Sequence, residues 1–199
     1  MAENRFDERY QSGDTPWDHG LVDNNLLDFV SGKGIPRCRV LDIGCGSGEN
    51  AIWLSQQGFD VVACDLSPTA IRRAKDKLPA AEAEVRFMVA DFLADPIPGS
   101  PFGFVFDRGC LHCMDDEKER KSFIEKVSEL LEEGGHWLSL VGNADEGERE
   151  VGPPQLTACE LVSIVEPHFE ILSLRSGHFG SDQEVPPRAW ICLMRKRVG

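Results

Sequence analysis

The 199-residue chain has no apolar run near the roughly 20 residues needed to cross a bilayer, so no membrane span is expected. Positive charge is scarce. The 21 Lys and Arg stand against 34 Asp and Glu, giving a net charge of −13. A field of that sign repels polyanions and argues against nucleic acid and anionic membranes as partners. The one dense basic cluster, Arg195-Lys196-Arg197, reads as a solvated tail. The opening Met1-Ala2-Glu3-Asn4-Arg5 leads into polar sequence, with neither a signal-peptide core nor an Arg/Ser-rich transit pattern. The cysteines, at 38, 45, 64, 110, 113, 159 and 192, are odd in number and scattered through apolar segments. That usage suits reduced thiols packed as small hydrophobes, as in a cytoplasm. There is no internal repeat, and the length fits one domain with a real core.

What is present is an alternation of strand and helix signals. Residues 4–20 are polar and aromatic, punctuated by Gly13, Pro16 and Gly20. Residues 21–30 carry Leu26, Leu27, Phe29 and Val30 at helical spacing, ended by Gly32 and Gly34. Buried strands are expected over 40–43, 60–64, 85–89, 102–106 and 137–141, then over 169–174 and 189–194. Between them, 50–57 reads as a helix ended by Gly58. Ser67-Pro68 opens a helix with Ser as N-cap and Pro in the first turn. Asp115-Asp116 caps a helix with Phe123, Ile124, Val127, Leu130 and Leu131 on one face, closed by Gly134-Gly135. Residues 142–155 are acidic, rich in Gly and Pro, and read as a mobile loop. Thr157 and Glu160 form a capping box for a helix to Val165. The pattern predicts a doubly wound α/β fold: a mostly parallel sheet of seven strands, one of them antiparallel at or near an edge, with helices on both faces. Ligands on such sheets bind beyond the carboxyl ends of the strands, where strand order reverses.

Beyond the first strand stands Asp42-Ile43-Gly44-Cys45-Gly46-Ser47-Gly48, opening into a helix. A dinucleotide fingerprint spaces its glycines G-x-G-x-x-G so that helix N-terminal amides hold a pyrophosphate. Here the spacing is G-x-G-x-G with an acid two positions ahead. That acid would repel a pyrophosphate and suits an ammonium or sulfonium. Asp65, at the second strand end, can accept both hydroxyls of a ribose. Ala90-Asp91-Phe92, after the third, offers an acceptor for an exocyclic amine and a ring to cover a purine. Three strand ends in order thus describe a nucleoside-type ligand, although each alone reads as an ordinary turn.

Residues 40–78 resemble the first two motifs of class I S-adenosylmethionine-dependent methyltransferases, whose core is Rossmann-like. Gly13-Asp14-Thr15-Pro16-Trp17-Asp18-His19-Gly20 and Phe106-Asp107-Arg108-Gly109-Cys110-Leu111-His112 resemble the thiopurine and thiol methyltransferase branch. So do Gly134-Gly135 and Gly152-Pro153-Pro154. The resemblance implies S-adenosylmethionine as cofactor and S-adenosylhomocysteine as product. It implies a 1–34 lid and helix extension on a 35–199 core. Position by position, it implies that Gly44, Cys45 and Gly46 line the methionine moiety and that Asp65 binds ribose, with Leu66 beside the adenine. Asp91 and Phe92 hold the adenine, Arg108 sits beside the methyl donor, and Trp17 folds over cofactor or substrate. Asp42 joins this cofactor set. The short acidic 143–150 segment and the Cys110/His112/Cys113 cluster depart from the thiopurine enzymes, so the resemblance does not name the methyl acceptor.

Some residues invite a second reading. Cys110-Leu111-His112-Cys113 has no further Cys/His pair at zinc-ligand spacing and reads as wall or core thiols rather than a metal or redox centre. His112 is either a hydrogen-bonded core histidine or, for an amine or hydroxyl acceptor, the candidate general base; with Arg108 it forms the expected catalytic pair. Asp14, Asp18 and His19 are pocket residues or order the N-terminal turn. Trp53, Trp137 and Trp190 read as core, and His178 as surface. Methyl transfer from a sulfonium needs a collinear, dry approach, and a soft thiolate, selenolate or thione needs little base catalysis. The expectation is therefore a monomeric enzyme that methylates a small molecule. A protein lysine methyltransferase, a nicotinamide-dependent oxidoreductase and a non-enzymatic adenosylmethionine-binding module are the alternatives.

Overall fold

The computed structural model describes residues 5–33, 35–78, 85–147 and 154–198. In chain order the elements are α1 (Arg5–Ser12), α2 (Asn24–Lys33), β1 (Arg39–Ile43), α3 (Glu49–Gln56), β2 (Asp60–Asp65), α4 (Pro68–Lys77) and β3 (Val85–Val89), then β4 (Phe102–Arg108), α5 (Glu117–Leu130), β5 (Leu131–Gly142), α6 (Ala158–Val165), β6 (Phe169–His178) and β7 (Arg188–Lys196). The strands form one seven-stranded sheet in the order β3-β2-β1-β4-β5-β7-β6. All neighbours run parallel except at β7, which lies antiparallel between β5 and β6. The fold is the expected doubly wound α/β sheet. Strand order reverses between β1 and β4, which pair with Ile43 opposite Asp107, and that reversal places the crevice. No described helix is long and apolar enough to cross a membrane.

Alternation along the strands divides the core between the two faces. Leu41 and Ile43 of β1, Val62 and Cys64 of β2, Val105 of β4 and Trp137 of β5 face α5 and α6, which contribute Phe123, Ile124, Val127, Leu161 and Ile164. Val40, Val61, Ala63, Phe104, Phe106 and Leu138 face the opposite way, against Leu26 and Phe29 of α2, Leu54 of α3 and Ile71 of α4. Trp137 is wholly buried, whereas Trp53 and Trp190 are half-buried. Three helix starts follow the sequence rules. Ser67 Oγ accepts from Ala70 N at 3.0 Å, Asp116 Oδ1 from Glu119 N at 2.8 Å, and Thr157 and Glu160 close a reciprocal capping box.

Several elements differ from expectation. Residues 5–12 form α1, whose polar composition carries no apolar stripe; only Tyr10 is buried. α2 begins at Asn24 and runs through Gly32. Asp23 starts it, taking Asn25 N on Oδ1 at 2.9 Å. Gly34, expected to end this helix, lies outside the described residues, as do 148–153 of the acidic loop with Gly152 and Pro153. Gly134-Gly135 does not end α5. The helix stops at Leu130 and β5 starts at Leu131, whose side chain is buried. The glycines instead form an irregularity where the register jumps from Phe102–Leu131 to Phe104–His136. Residues 144–146 form a 3-10 turn, and Asn143 bridges Leu156. The basic tail is structural: Arg195 and Lys196 belong to β7, Arg195 pairs with Glu170 at 2.5 Å and Arg197 with Glu166 at 2.5 Å. His178 is exposed, as expected, but ends β6 rather than lying in a loop.

Gly48 caps α3 at φ +90°, and a Cβ there would lie 2.8 Å from Ala74 Cβ and 2.9 Å from the Phe87 ring. Gly48→Ala is expected to cost about 1–3 kcal/mol, from left-handed strain plus overpacking, read as a lowered urea midpoint with an unchanged slope.

Candidate functional site

The chain turns sharply after β1. Gly44 and Gly46 take φ of +65° and +55°, and the amides of Gly44 and Cys45 both donate to Cys64 O, at 2.8 and 3.0 Å. The end of β2 completes the clasp: Asp65 Oδ2 accepts from Gly46 N at 2.9 Å and Oδ1 from Ser67 N at 2.8 Å. Burial raises the Asp65 pKa against the lowering effect of those two amides. A carboxylate has about four acceptor sites, so both oxygens can still receive ribose hydroxyls. Asp42 is the exception to a well-satisfied interior. It is buried, and its Oδ2 meets no donor among the described residues. Burial, then the nearby carboxylates of Asp65, Asp107 and Glu49, push its pKa well up. An unpaired buried acid is costly unless a cation meets it, and the ammonium of S-adenosylmethionine fits that demand.

The N-terminal segment covers this loop. Asp7 Oδ1 takes Ser67 Oγ at 2.5 Å and Thr69 N at 2.9 Å, pinning α1 to the start of α4. The Tyr10 ring is buried, its carbonyl accepts from Arg73 at 2.6 Å, and its hydroxyl lies 2.6 Å from where a Gly46 Cβ would be. Burial, reinforced by Asp18 and Asp65, raises its pKa far above the phenol range. Trp17 donates Nε1–H to Tyr10 Oη at 3.2 Å, under the Arg9 guanidinium at 4.3 Å. Asp18 accepts from Ser47 Oγ at 2.5 Å, and Ser47 also meets Glu49 and Lys77, so the cover is bonded to the glycine loop itself.

At the end of β4, Arg108 is a clasp. Its Nε donates to Asp23 Oδ2 at 2.8 Å, Nη1 to Trp17 O at 3.1 Å and Nη2 to Gly180 O, with the cation 5.4 Å from the Phe179 ring centre. The guanidinium thus ties the N-terminal cover and the β6–β7 connection to the sheet. Its hydrogen bonds give it an architectural role at the strand end where the sequence had suggested a group beside the methyl donor. His112 follows in a 3-10 turn, buried, with Nδ1 accepting Gly142 N–H at 2.7 Å. Desolvation, then the Arg108 charge, lower its pKa to about 3. With Nδ1 occupied by a backbone donor, the neutral ring carries its proton on Nε2. In this arrangement it can donate a hydrogen bond from Nε2, while Gly142 engages the Nδ1 lone pair that a general base would need.

Cys110 Sγ lies against Ile43 O at 3.3 Å and fills the space a Gly44 side chain would take. Burial pushes the Cys113 thiol up to about 11. No group of three potential metal ligands converges among the described residues. Leu66 is exposed beside the end of β2, near the exposed Val89 at the end of β3. Asp91 caps its own turn through Leu93 N at 2.9 Å. The Phe92 ring is buried against Phe123, centroids 4.7 Å apart, so it supports the floor of the site from the core where an open face over a purine was expected. Asp7, Tyr10, Asp23 and Gly180 were missed from sequence. Three of the four lie in segments without apolar periodicity; the pairing of Asp7 with Tyr10 one helical turn later, in a chain with a single tyrosine, was the available signal.

A model of the thiopurine S-methyltransferase family matches residues 1–184. A probable thiol methyltransferase 2 of Arabidopsis thaliana is 29% identical over 182 residues, covering 87% of this chain and 78% of the relative. Thiocyanate methyltransferase 1 of Brassica oleracea is 25% identical over 160 residues, covering 79% and 69%. A solved structure from work on the conversion of a disulfide bond into a thioacetal group during echinomycin biosynthesis superposes with a TM-score of 0.81 at 24% identity, covering 99% of this chain and 92% of that one.

The His112 ring makes acid stability testable. Its folded pKa of about 3 lies below the usual 6.5, so its contribution is full above pH 6.5 and is lost as pH falls toward 3. Asp107 is wholly buried, which raises its pKa to about 6, and it contributes the opposite slope between pH 6 and the ordinary carboxyl value of 3.8. His112→Asn keeps an acceptor for Gly142 N–H but does not titrate. Urea melts should show its deficit against wild type narrowing by roughly 2–3 kcal/mol between pH 7 and 4.5, at about 1.4 kcal/mol per pH unit.

Proposed function

Since the chain belongs to the thiopurine S-methyltransferase family, we propose that the small molecule it methylates is a compact thiol, selenol or thione. It is an S-adenosylmethionine-dependent methyltransferase. The cofactor supplies a methyl group already activated on a sulfonium, so the protein has only to position, desolvate and neutralise. Asp42 would meet the ammonium, the Gly44–Cys45–Gly46 backbone would lie along the methionine moiety, and Asp65 would accept the ribose hydroxyls. Leu66 offers apolar surface for the adenine, with Asp91 at its edge. Arg108 holds the cover down through Trp17 O and Gly180 O, which excludes water.

The observation that carries the acceptor class is this cover: α1 and residues 13–20 are bonded to α4, to the glycine loop and to Arg108 at separate points. A site covered in this way would suit a polarisable nucleophile, because a thiolate costs less to desolvate than a hard oxyanion, and the cover stands in the way of a side chain borne on a folded protein. The two plant relatives bear names that point to sulfur acceptors. Seven free cysteines and a net charge of −13 support a reducing cytoplasm and a small acceptor rather than nucleic acid.

A methyl-transfer screen over thiols, selenols, thiones, thiocyanate, amines and cell-extract protein tests the proposal. Turnover confined to sulfur or selenium compounds is expected, and label appearing only on protein would overturn it. In calorimetry, S-adenosylmethionine and S-adenosylhomocysteine should bind and NAD(P) should not. Asp65→Ala should weaken cofactor binding by roughly 1.5–3 kcal/mol. Asp42→Asn should raise the melting temperature of the cofactor-free protein by replacing a buried acid crowded by other carboxylates with a neutral amide, and weaken cofactor binding at the same time.

A further inference from the structure

His19 lies in the cover, two residues after Trp17, and its Nε2 is 2.6 Å from Gly180 O. A carbonyl oxygen has no proton to give, so in the neutral ring Nε2–H donates and Nδ1 keeps its lone pair. That Nδ1 is buried and finds no partner among the described residues. Buried acceptors are rarely left so unless a ligand meets them. The position is informative: Nε2 is also 3.3 Å from Arg108 Nη2, at the end of β4, where strand order reverses beside the glycine loop. The other basic groups around the end of β4 are committed. His112 Nδ1 holds Gly142 N–H, the Asp107 carboxylate holds Cys110 N, Leu111 N and Trp137 Nε1, and Asp23 holds Arg108, Asn25 and Gly180.

We propose that His19 Nδ1 is the proton acceptor of the methyl-acceptor pocket, an assignment that rests on the small sulfur-acceptor reading above. For an acceptor R–SH, the bond from sulfur to the methyl carbon forms as the bond from that carbon to the donor sulfonium breaks. The electron pair of the broken bond leaves with the donor sulfur, now a neutral thioether. The S–H proton passes to Nδ1, and the imidazolium returns it to water after product release. Nε2–H keeps its bond to Gly180 O throughout, so the ring does not have to turn. The charged groups beside it are Arg108 from β4, 3.3 Å from Nε2, and the Asp23 carboxylate paired to that arginine, while its chain neighbour Asp18 is bonded to Ser47. A base here would extend the enzyme's range from anions, which need none, to neutral thiols.

The test uses the full chain and a series of thiols spanning a wide range of acidity. His19→Gln places an amide N–H where Nε2–H was, keeps the Gly180 contact and removes the basic lone pair. Expected are unchanged calorimetric affinity for S-adenosylhomocysteine, a loss in kcat/KM of about 100-fold or more for alkyl thiols, and a loss within about 3-fold for thiols already ionised at the assay pH. A loss of equal size across the series would overturn the base assignment. Histidine 15N NMR, with the variant supplying the assignment, should show Nδ1 unprotonated at neutral pH and shifted when a thiol joins the S-adenosylhomocysteine complex. A proton resident on Nδ1 in the neutral ring would also overturn it. If wild type turns over no small acceptor at all, the sulfur-acceptor reading fails, and this assignment fails with it.

Discussion

Arg108 and Asp23 form an ion pair in which the carboxylate side chain is 1% exposed and the guanidinium 14%. The start of α2, the Trp17 end of the cover and the β6–β7 connection all meet at it. Asp23 starts α2 through Asn25 and receives Gly180 N at 2.8 Å, while Arg108 holds the carbonyls of Trp17 and Gly180. Gly180 packs closely here: a Cβ would sit 3.0 Å from Asp23 Oδ2 and 3.2 Å from Asp23 Cα, so the pair would have to shift to admit one. A buried pair of this kind gains little over an apolar substitute, but losing one partner strands the other at a cost of about 3–5 kcal/mol. Its value lies in placement: a sheet strand, a helix start and two connections are brought to one point.

A second buried carboxylate is treated in the opposite way. Asp23 is surrounded by donors, whereas Asp42 keeps an oxygen without one. One buried acid is thus wholly engaged in building the site, and the other keeps an oxygen open at the end of β1, where a cation would offset the cost of its burial. His19 Nδ1 extends the logic to the other side of the crevice, with an acceptor left open where a donor is to arrive.

The cover joins these two sides. Asp18 is bonded to the glycine loop, Trp17 to Arg108 through its carbonyl, and His19 to the β6–β7 connection. Three consecutive residues are therefore anchored to three parts of the site, which holds a short segment in place without a large interface of its own.

Much of this was legible in the residues. Strand β3 ran as expected over 85–89, the Ser67 and Thr157 caps formed, and the glycine spacing with its leading acid distinguished the cofactor from a dinucleotide. These are local properties: periodicity, capping and backbone freedom act within a few residues. What the sequence could not decide were long-range pairings. α1 has no apolar stripe and is held by Asp7 on α4, 62 residues away. His112 looked like a base until Gly142, 30 residues on, proved to occupy its Nδ1. Phe92 looked free to cover a purine until Phe123 was found against it. Local spacing determined the sheet, the helices between its strands and a nucleoside-type ligand that is no dinucleotide, and the family resemblance named that ligand. Which lone pairs and ring faces remain open depends on neighbours brought from elsewhere in the chain, and only the tertiary structure decided that.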